Sequence, residues 1–342
     1  MRSNRSLRFP FALFASVALS QAAHAQTPTV RFVATNSAFN GTDCGSRERP
    51  CRTISQAVRN ASDGDLIEVG PGTYPGTITI DKSVEIYSTA GAALTVVRGR
   101  DAFANRIVII RASGVTFGRL NGGFTITGTK LDLGGGSGTE GIDGGGVDQS
   151  DVTIAGNIVV GHTIGMSAGA NGGRIEGNAA IDNEAGLQIT GPGSIVINNV
   201  ANGNKQGFLL SLVGTRTTFT NNVAIGNEVG IEIGTEIVSE LSGNTIIGNT
   251  QAGFKFMMPA QTTERFAMHR NNIYGNGDDA DGCGVINDTG GVIDATNNYW
   301  GKANGPGPNP GDRAYGTCLV RGSIVTTPFA TDPFPIGTAN AQ

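Results

Sequence analysis

The chain has 342 residues, with 53 Gly but only 13 Pro, 15% charged residues and a net charge of -4. Gly at that level without a strict G-X-Y period excludes collagen; scattered among Val, Ile and Asn, it points to many short strands joined by tight turns. The weakly acidic balance, with no basic stripe, excludes nucleic acid as a partner.

Residues 1–25 read as a secretory signal peptide: Arg2, Arg5 and Arg8, then the short apolar core FPFALFASVAL, then the small-residue cleavage site AHA. That core is too short for a membrane anchor, and no later stretch is long and apolar enough to span a bilayer. The mature chain therefore starts near Gln26 as a secreted or periplasmic protein. An oxidising compartment favours disulfides, and loop closure favours near neighbours, so Cys44–Cys51 and Cys283–Cys318 are the expected pairs. Thr53 to Gln56 has the form of a capping box ahead of a short amphipathic helix.

From residue 156 a phrase recurs: GNIVVGHTIGM, GNAAIDNEAGLQI, NNVANGNKQGFLL, NNVAIGNEVGIEIG, GNTIIGNTQAGFKF. Aligned on the second letter of each "GN" or "NN", the anchors are Asn157, Asn178, Asn199, Asn222, Asn244, Asn272 and Asn298, at intervals of 21, 21, 23, 22, 28 and 26. A second polar position follows five residues later: His162, Asn183, Asn204, Asn227 and Asn249. A Gly followed by an apolar residue comes next, from Gly165-Met166 to Gly253-Phe254. Such a unit of about 22 residues is too short for a long helix pair and lacks leucine-rich-repeat spacing. Runs such as IEI and FKF alternate with period two, as half-buried strands do. Three short strands and three turns make one coil of a parallel β-helix, roughly nine or ten coils in all. Stacking places Asn157, Asn178, Asn199, Asn222 and Asn244 in a column, an asparagine ladder.

The chain resembles the secreted right-handed parallel β-helix repeat proteins of the pectate-lyase-like superfamily over nearly all of its mature length. Three blocks carry the resemblance: residues 43–74 (DCGSRERPC…GPGTY), residues 123–128 (GFTITG) with the repeats, and residues 297–318 (NNYWGKANGPG…GTC) followed by VTTPF. It implies an all-β solenoid with a short N-terminal capping helix. The expected organisation is a cap over 26–66, coils over 67–300 and a closing segment over 301–342. Closed ends leave no open strand edge, so a monomer is expected.

The resemblance also implies carbohydrate as ligand, held along the strand after the Gly. The outward residues there are Asp143, Ser167, Gln188, Leu209, Glu232 and Lys255. Of these, Asp143, Gln188, Glu232 and Lys255 are the candidate sugar contacts; an ordinary solvated face is the plainer reading of their charges. Asp143, Asp148 and Asp151 fall in one Gly-rich stretch and are the candidate ligands for calcium, with a polar turn as the plainer reading. A β-elimination would also need a base, and Lys205, Arg216 and Lys255 are available with none singled out. His162 in GHTIG occupies the place of Asn in the following repeats, so a turn role explains it without hydrolase chemistry. His269, three before Asn272, would point inward, and Trp300 would pack in the last coil. The function expected is binding of an extracellular polysaccharide, with lyase-type cleavage as its enzymatic form. The alternative is a non-enzymatic structural or surface-exposed rod.

Overall fold

The structure is a computed structural model that describes residues 27–99, 105–128, 139–211, 217–234, 241–257, 265–277, 283–289, 291–307 and 323–336. The signal peptide, Arg216 and Cys318 lie outside them. The described chain winds as a right-handed β-helix. Each coil contributes one strand to each of three all-parallel sheets, of twelve, nine and nine strands among the described residues. In one coil, Thr153–Ala155 joins the twelve-stranded sheet, Ile158–Val160 the second and Ile164–Ala168 the third.

Each strand turns alternate side chains into the coil, and like stacks on like. Ile154, Ile175, Val196, Phe219, Leu241 and Met268 form an inward column of the first sheet, and Phe266 stacks on Ile293 beside it. Across the interior, Ala180, Ala201 and Ala224 of the second sheet are small where Leu187, Phe208 and Phe219 are large. Burying each large apolar side chain contributes about 1.5–3 kcal/mol, so the core is one continuous column.

Two turns per coil carry the refrain. At the first, the residue before each ladder Asn takes a left-handed backbone: Gly156 (φ 68), Gly177 (φ 62), Asn198 (φ 57), Asn221 (φ 56) and Gly243 (φ 68). Gly and Asn tolerate that conformation best, which is why the phrase reads "GN" or "NN". The ladder continues from Asn244 through Asn271 to Asn298, not through Asn272. Arg270 (φ 57) takes the left-handed place there, which hid the register in the sequence. A second ladder runs His162, Asn183, Asn204, Asn227, Asn249, Asn276.

Helix α1 (Ile54–Asn60) buries Ile54, Ala57 and Val58 and packs against strands Val30–Val33, Leu66–Val69 and Ile78–Ile80, plugging the first coil. Only half of the expected capping box forms. The Thr53 hydroxyl accepts from the Gln56 N–H at 3.2 Å, but the Gln56 amide turns to Asn60 at 2.8 Å, and Asn40 takes the Thr53 N–H at 3.1 Å. The Cys44–Cys51 disulfide ties the cap. Cys283 is half of a disulfide, and its expected partner Cys318 lies outside the described residues. Trp300 is fully buried, and Tyr299 meets Tyr274 edge-on at 6.1 Å.

Candidate functional site

The third sheet carries the residues singled out from the sequence, and the strand register brings them into one line. Asp143, Ser167, Gln188, Leu209, Glu232 and Lys255 are direct neighbours on successive strands. Neighbouring strands lie about 4.8 Å apart, so the column is a row of mostly polar side chains on the outside of the coil. Ile109 precedes it and Ile286 follows it, which bounds the polar part at six strands. Gln188, Leu209, Glu232 and Lys255 are half-buried, and Lys255 Nζ donates to Gln251 Oε1 at 3.5 Å.

At the N-terminal end of the row the structure gathers a network that the sequence reading missed apart from Asp143 and Ser167. The Arg106 guanidinium bridges two carboxylates, Nε to Glu140 Oε2 at 2.9 Å and Nη1 to Asp143 Oδ2 at 3.2 Å. Arg111 Nη1 meets the same Asp143 oxygen at 2.9 Å, and the Ser167 hydroxyl donates to Glu140 Oε1. Burial pushes the Glu140 carboxyl above its ordinary value and the Asp143 charge adds to this, while Ser167 and Arg106 pull it down. Two guanidiniums therefore neutralise two acids, leaving a rigid, charge-balanced end. Neither carboxylate is left unpaired for acid–base work across a glycosidic bond. Arg106 and Glu140 are 34 residues apart and lie outside the repeated phrase, so only the coil pairing reveals them.

The three carboxylates proposed for calcium do not converge. Asp143 is held by the two arginines, Asp148 is exposed on the loop, and Asp151 turns away at φ 54 and accepts from Ser150 at 3.2 Å. Among the described residues, no three His, Cys, Asp or Glu side chains lie together as a metal site.

His162 is fully buried at the head of the second ladder. Its backbone N–H donates to Asn183 Oδ1 at 2.9 Å, and its Nε2 faces the Ile126 carbonyl at 3.2 Å. Burial holds its pKa below the ordinary 6.5, against a smaller opposing pull from that carbonyl. Below 6.5 the unfolded chain binds a proton that the folded chain refuses. The stability contribution is therefore whole above that pH and falls as pH drops beneath it. Asn at this position removes the titrating ring and continues the ladder. His162→Asn is expected to abolish this acid-side loss, seen by comparing unfolding midpoints of the two proteins at about pH 7.5 and about pH 5.

His269 does not point inward. With the ladder at Asn271, Met268 takes the core position beside Leu241, and His269 pairs with Ser242 on the outside, its Nε2 3.2 Å from Asp294. The Thr296 hydroxyl and N–H and His269 together hold the Asp294 carboxyl below its ordinary value, outweighing its desolvation.

A protein-family model described as "Periplasmic copper-binding protein (NosD)" matches residues 88–304. No curated relative matches the chain. Among solved structures, the pectate lyase Pel9A is similar with a TM-score of 0.52 at 16% identity, over 90% of this chain and 80% of that one. The A-module of the mannuronan C-5 epimerase AlgE4 from Azotobacter vinelandii is similar with a TM-score of 0.47 at 17% identity, over 68% of this chain and 69% of that one. The pectate lyase shares the parallel β-helix with this chain.

Proposed function

The chain belongs to the family described as periplasmic copper-binding protein (NosD), and from that premise we propose that it is an exported scaffold that binds an extended polysaccharide along the column from Asp143 to Lys255. The observation that carries this reading is the unbroken register of that column across six strands of one sheet. Carboxamide, hydroxyl, carboxylate and ammonium groups in a row offer both donors and acceptors to sugar hydroxyls. The charge-balanced Arg106–Glu140–Asp143 end suits a chain of low charge. Copper, named in the family's description, finds no fitting ligand set among the described residues. Cys44, Cys51 and Cys283 are in disulfides, Met166 and Met268 are core residues, and Met257 is the single exposed methionine among the described residues. His162 is sealed in the ladder, and His269 faces Asp294.

The test is a glycan array probed with the mature protein, followed by titration of the best ligand. Gln188→Ala and Glu232→Ala are each expected to weaken binding by roughly fivefold to tenfold, with unfolding unchanged because both side chains stand outside the coil. Ultraviolet absorbance of new C=C bonds, with and without calcium, separates binding from lyase cleavage. A silent array removes the polysaccharide reading and leaves the rigid rod. That second reading is favoured by the two ladders, which would stiffen a solenoid whatever its surface does.

A further inference from the structure

The second sheet presents a face unlike either of the others. Its strands Ile158–Val160, Ala179–Ile181, Val200–Asn202, Val223–Ile225 and Thr245–Ile247 turn Val159, Ala180, Ala201, Ala224 and Ile246 inward. The register stacks the outward residues in two columns, Ile158, Ala179, Val200, Val223, Thr245 and Val160, Ile181, Asn202, Ile225, Ile247. Only Asn202 and, at the far end, the buried Thr245 break this aliphatic strip, and none of its side chains is charged. Ile225 is 39% exposed, although it is large and apolar.

At its N-terminal end the strip runs into a cavity of about 310 Å³. Two turns of earlier coils overhang it: Ala90–Ala93 on one side and Leu120 with Asn121 on the other. Its floor is Ile158, Ala179, Ile181 and Val200. The left-handed Gly177 makes room for the overhang, since a Cβ there would meet Leu120 Cδ2 at 2.4 Å. Leu120 is 46% exposed, holding an apolar side chain over an apolar floor. No charged residue lines the cavity; of its five Asn, Asn157 and Asn178 are buried in the first ladder, and Asn121, Asn198 and Asn202 are more exposed.

We infer that this cavity is a second binding site, separate from the polar column, and that it takes the aliphatic chain of a small, uncharged, single-chain amphiphile. Its volume lies at the lower end of the ligand-pocket range of roughly 300–1,000 Å³, enough for part of an aliphatic chain and not for a folded partner. The apolar floor and the Leu120 overhang exclude water from that chain. The carboxamides of Asn121, Asn198 and Asn202 supply donors and acceptors for a neutral polar end. A charged headgroup would find no counter-ion here. A sugar would find no aromatic platform. A second copy of the chain is disfavoured by area: five strands about 4.8 Å apart and three residues long make a strip of roughly 20 Å by roughly 10 Å, about 200 Å², far short of the roughly 800 Å² that each partner of a stable pair buries.

The experiment is a displacement titration on the mature protein. The neutral fluorophore N-phenylnaphthylamine is bound first and then competed with monolauroylglycerol below its critical micelle concentration. Saturable uptake of one fluorophore per chain, fully displaced by the monoglyceride, is the expected result. Ala179→Phe fills the cavity and Ile181→Glu places a charge on its floor; each is expected to weaken the monoglyceride by at least about tenfold. Thr220→Glu, on the outer face of the first sheet, is expected to bind as the parent does. All three positions face outward, and circular dichroism checks that the coils are intact. Non-saturable uptake, or cavity variants that bind like the parent, would overturn the inference. So would an equal loss in Thr220→Glu.

Discussion

Gly207→Ala is expected to cost about 3 kcal/mol of stability, although it adds a single methyl group. Gly207 sits inside the strand Gln206–Leu210, buried against the second ladder. An ideal Cβ there would lie 2.5 Å from the Gly230 carbonyl oxygen and 2.9 Å from Asn227 Nδ2. Both are atoms that cannot step aside. The carbonyl belongs to the next coil, and the amide is spent on the Ala201 carbonyl and Asn249. The same contact recurs coil after coil: the built Cβ meets the next coil's carbonyl at 2.6 Å for Gly165, 2.5 Å for Gly186 and 2.6 Å for Gly230. Relieving one clash therefore pushes the neighbouring coil into another. Gly234→Ala is the control, because its nearest neighbour would be Ser211 Oγ at 3.7 Å; it is expected to stay within about 0.5 kcal/mol of the parent. Urea titrations of the two variants and the parent give the comparison, and a Gly207→Ala protein as stable as the parent would show that the coils can spread.

That column also shows where the sequence could be read and where it could not. The Gly before each apolar residue was visible as a repeat, and from the letters the strand was expected to follow it. The structure puts it in the strand, where the missing Cβ lets the next carbonyl approach. Ladder members and the outward row were legible because each repeats at the coil period, and repetition is what stacking looks like in one dimension. Arg270 broke the phrase by occupying a left-handed position where its neighbours have Gly or Asn, and the alignment slipped by one residue to Asn272. The Arg106–Glu140–Asp143 network was invisible for another reason: its partners come from coils before the refrain begins, and only three-dimensional pairing relates them. The aliphatic face was hidden differently again. A run such as VAI or TII has no alternation, so its outward members look like core residues.

The second large effect lies in the first ladder, and its size depends on how fully each member is used. The Asn199 Oδ1 accepts the Asn178 backbone N–H and the Asn178 amide, both at 3.0 Å. Its Nδ2 donates to the carbonyls of Ile175 and Ile197 and to Asn222 Oδ1, each at 3.0 Å. Asn199→Leu keeps the volume but strands two buried donors and removes the donor that three oxygens share. At roughly 1–3 kcal/mol per orphaned buried group, the loss should reach about 4 kcal/mol. Asn199→Asp separates the two halves of that cost. A carboxylate still accepts from Asn178 but cannot donate to Ile175 or Ile197, and it is a buried charge facing carbonyl oxygens. Its folded pKa should rise above the unfolded value, so the folded state would bind the proton more tightly. The deficit of the Asp variant should therefore be full above its folded pKa and shrink as pH falls toward the unfolded value of about 3.9. Asn199→Leu should show no such dependence relative to the parent. If the two variants lose equal stability at every pH, the acceptor that the carboxylate retains contributes nothing, and the loss lies with the amide donors that both variants lack.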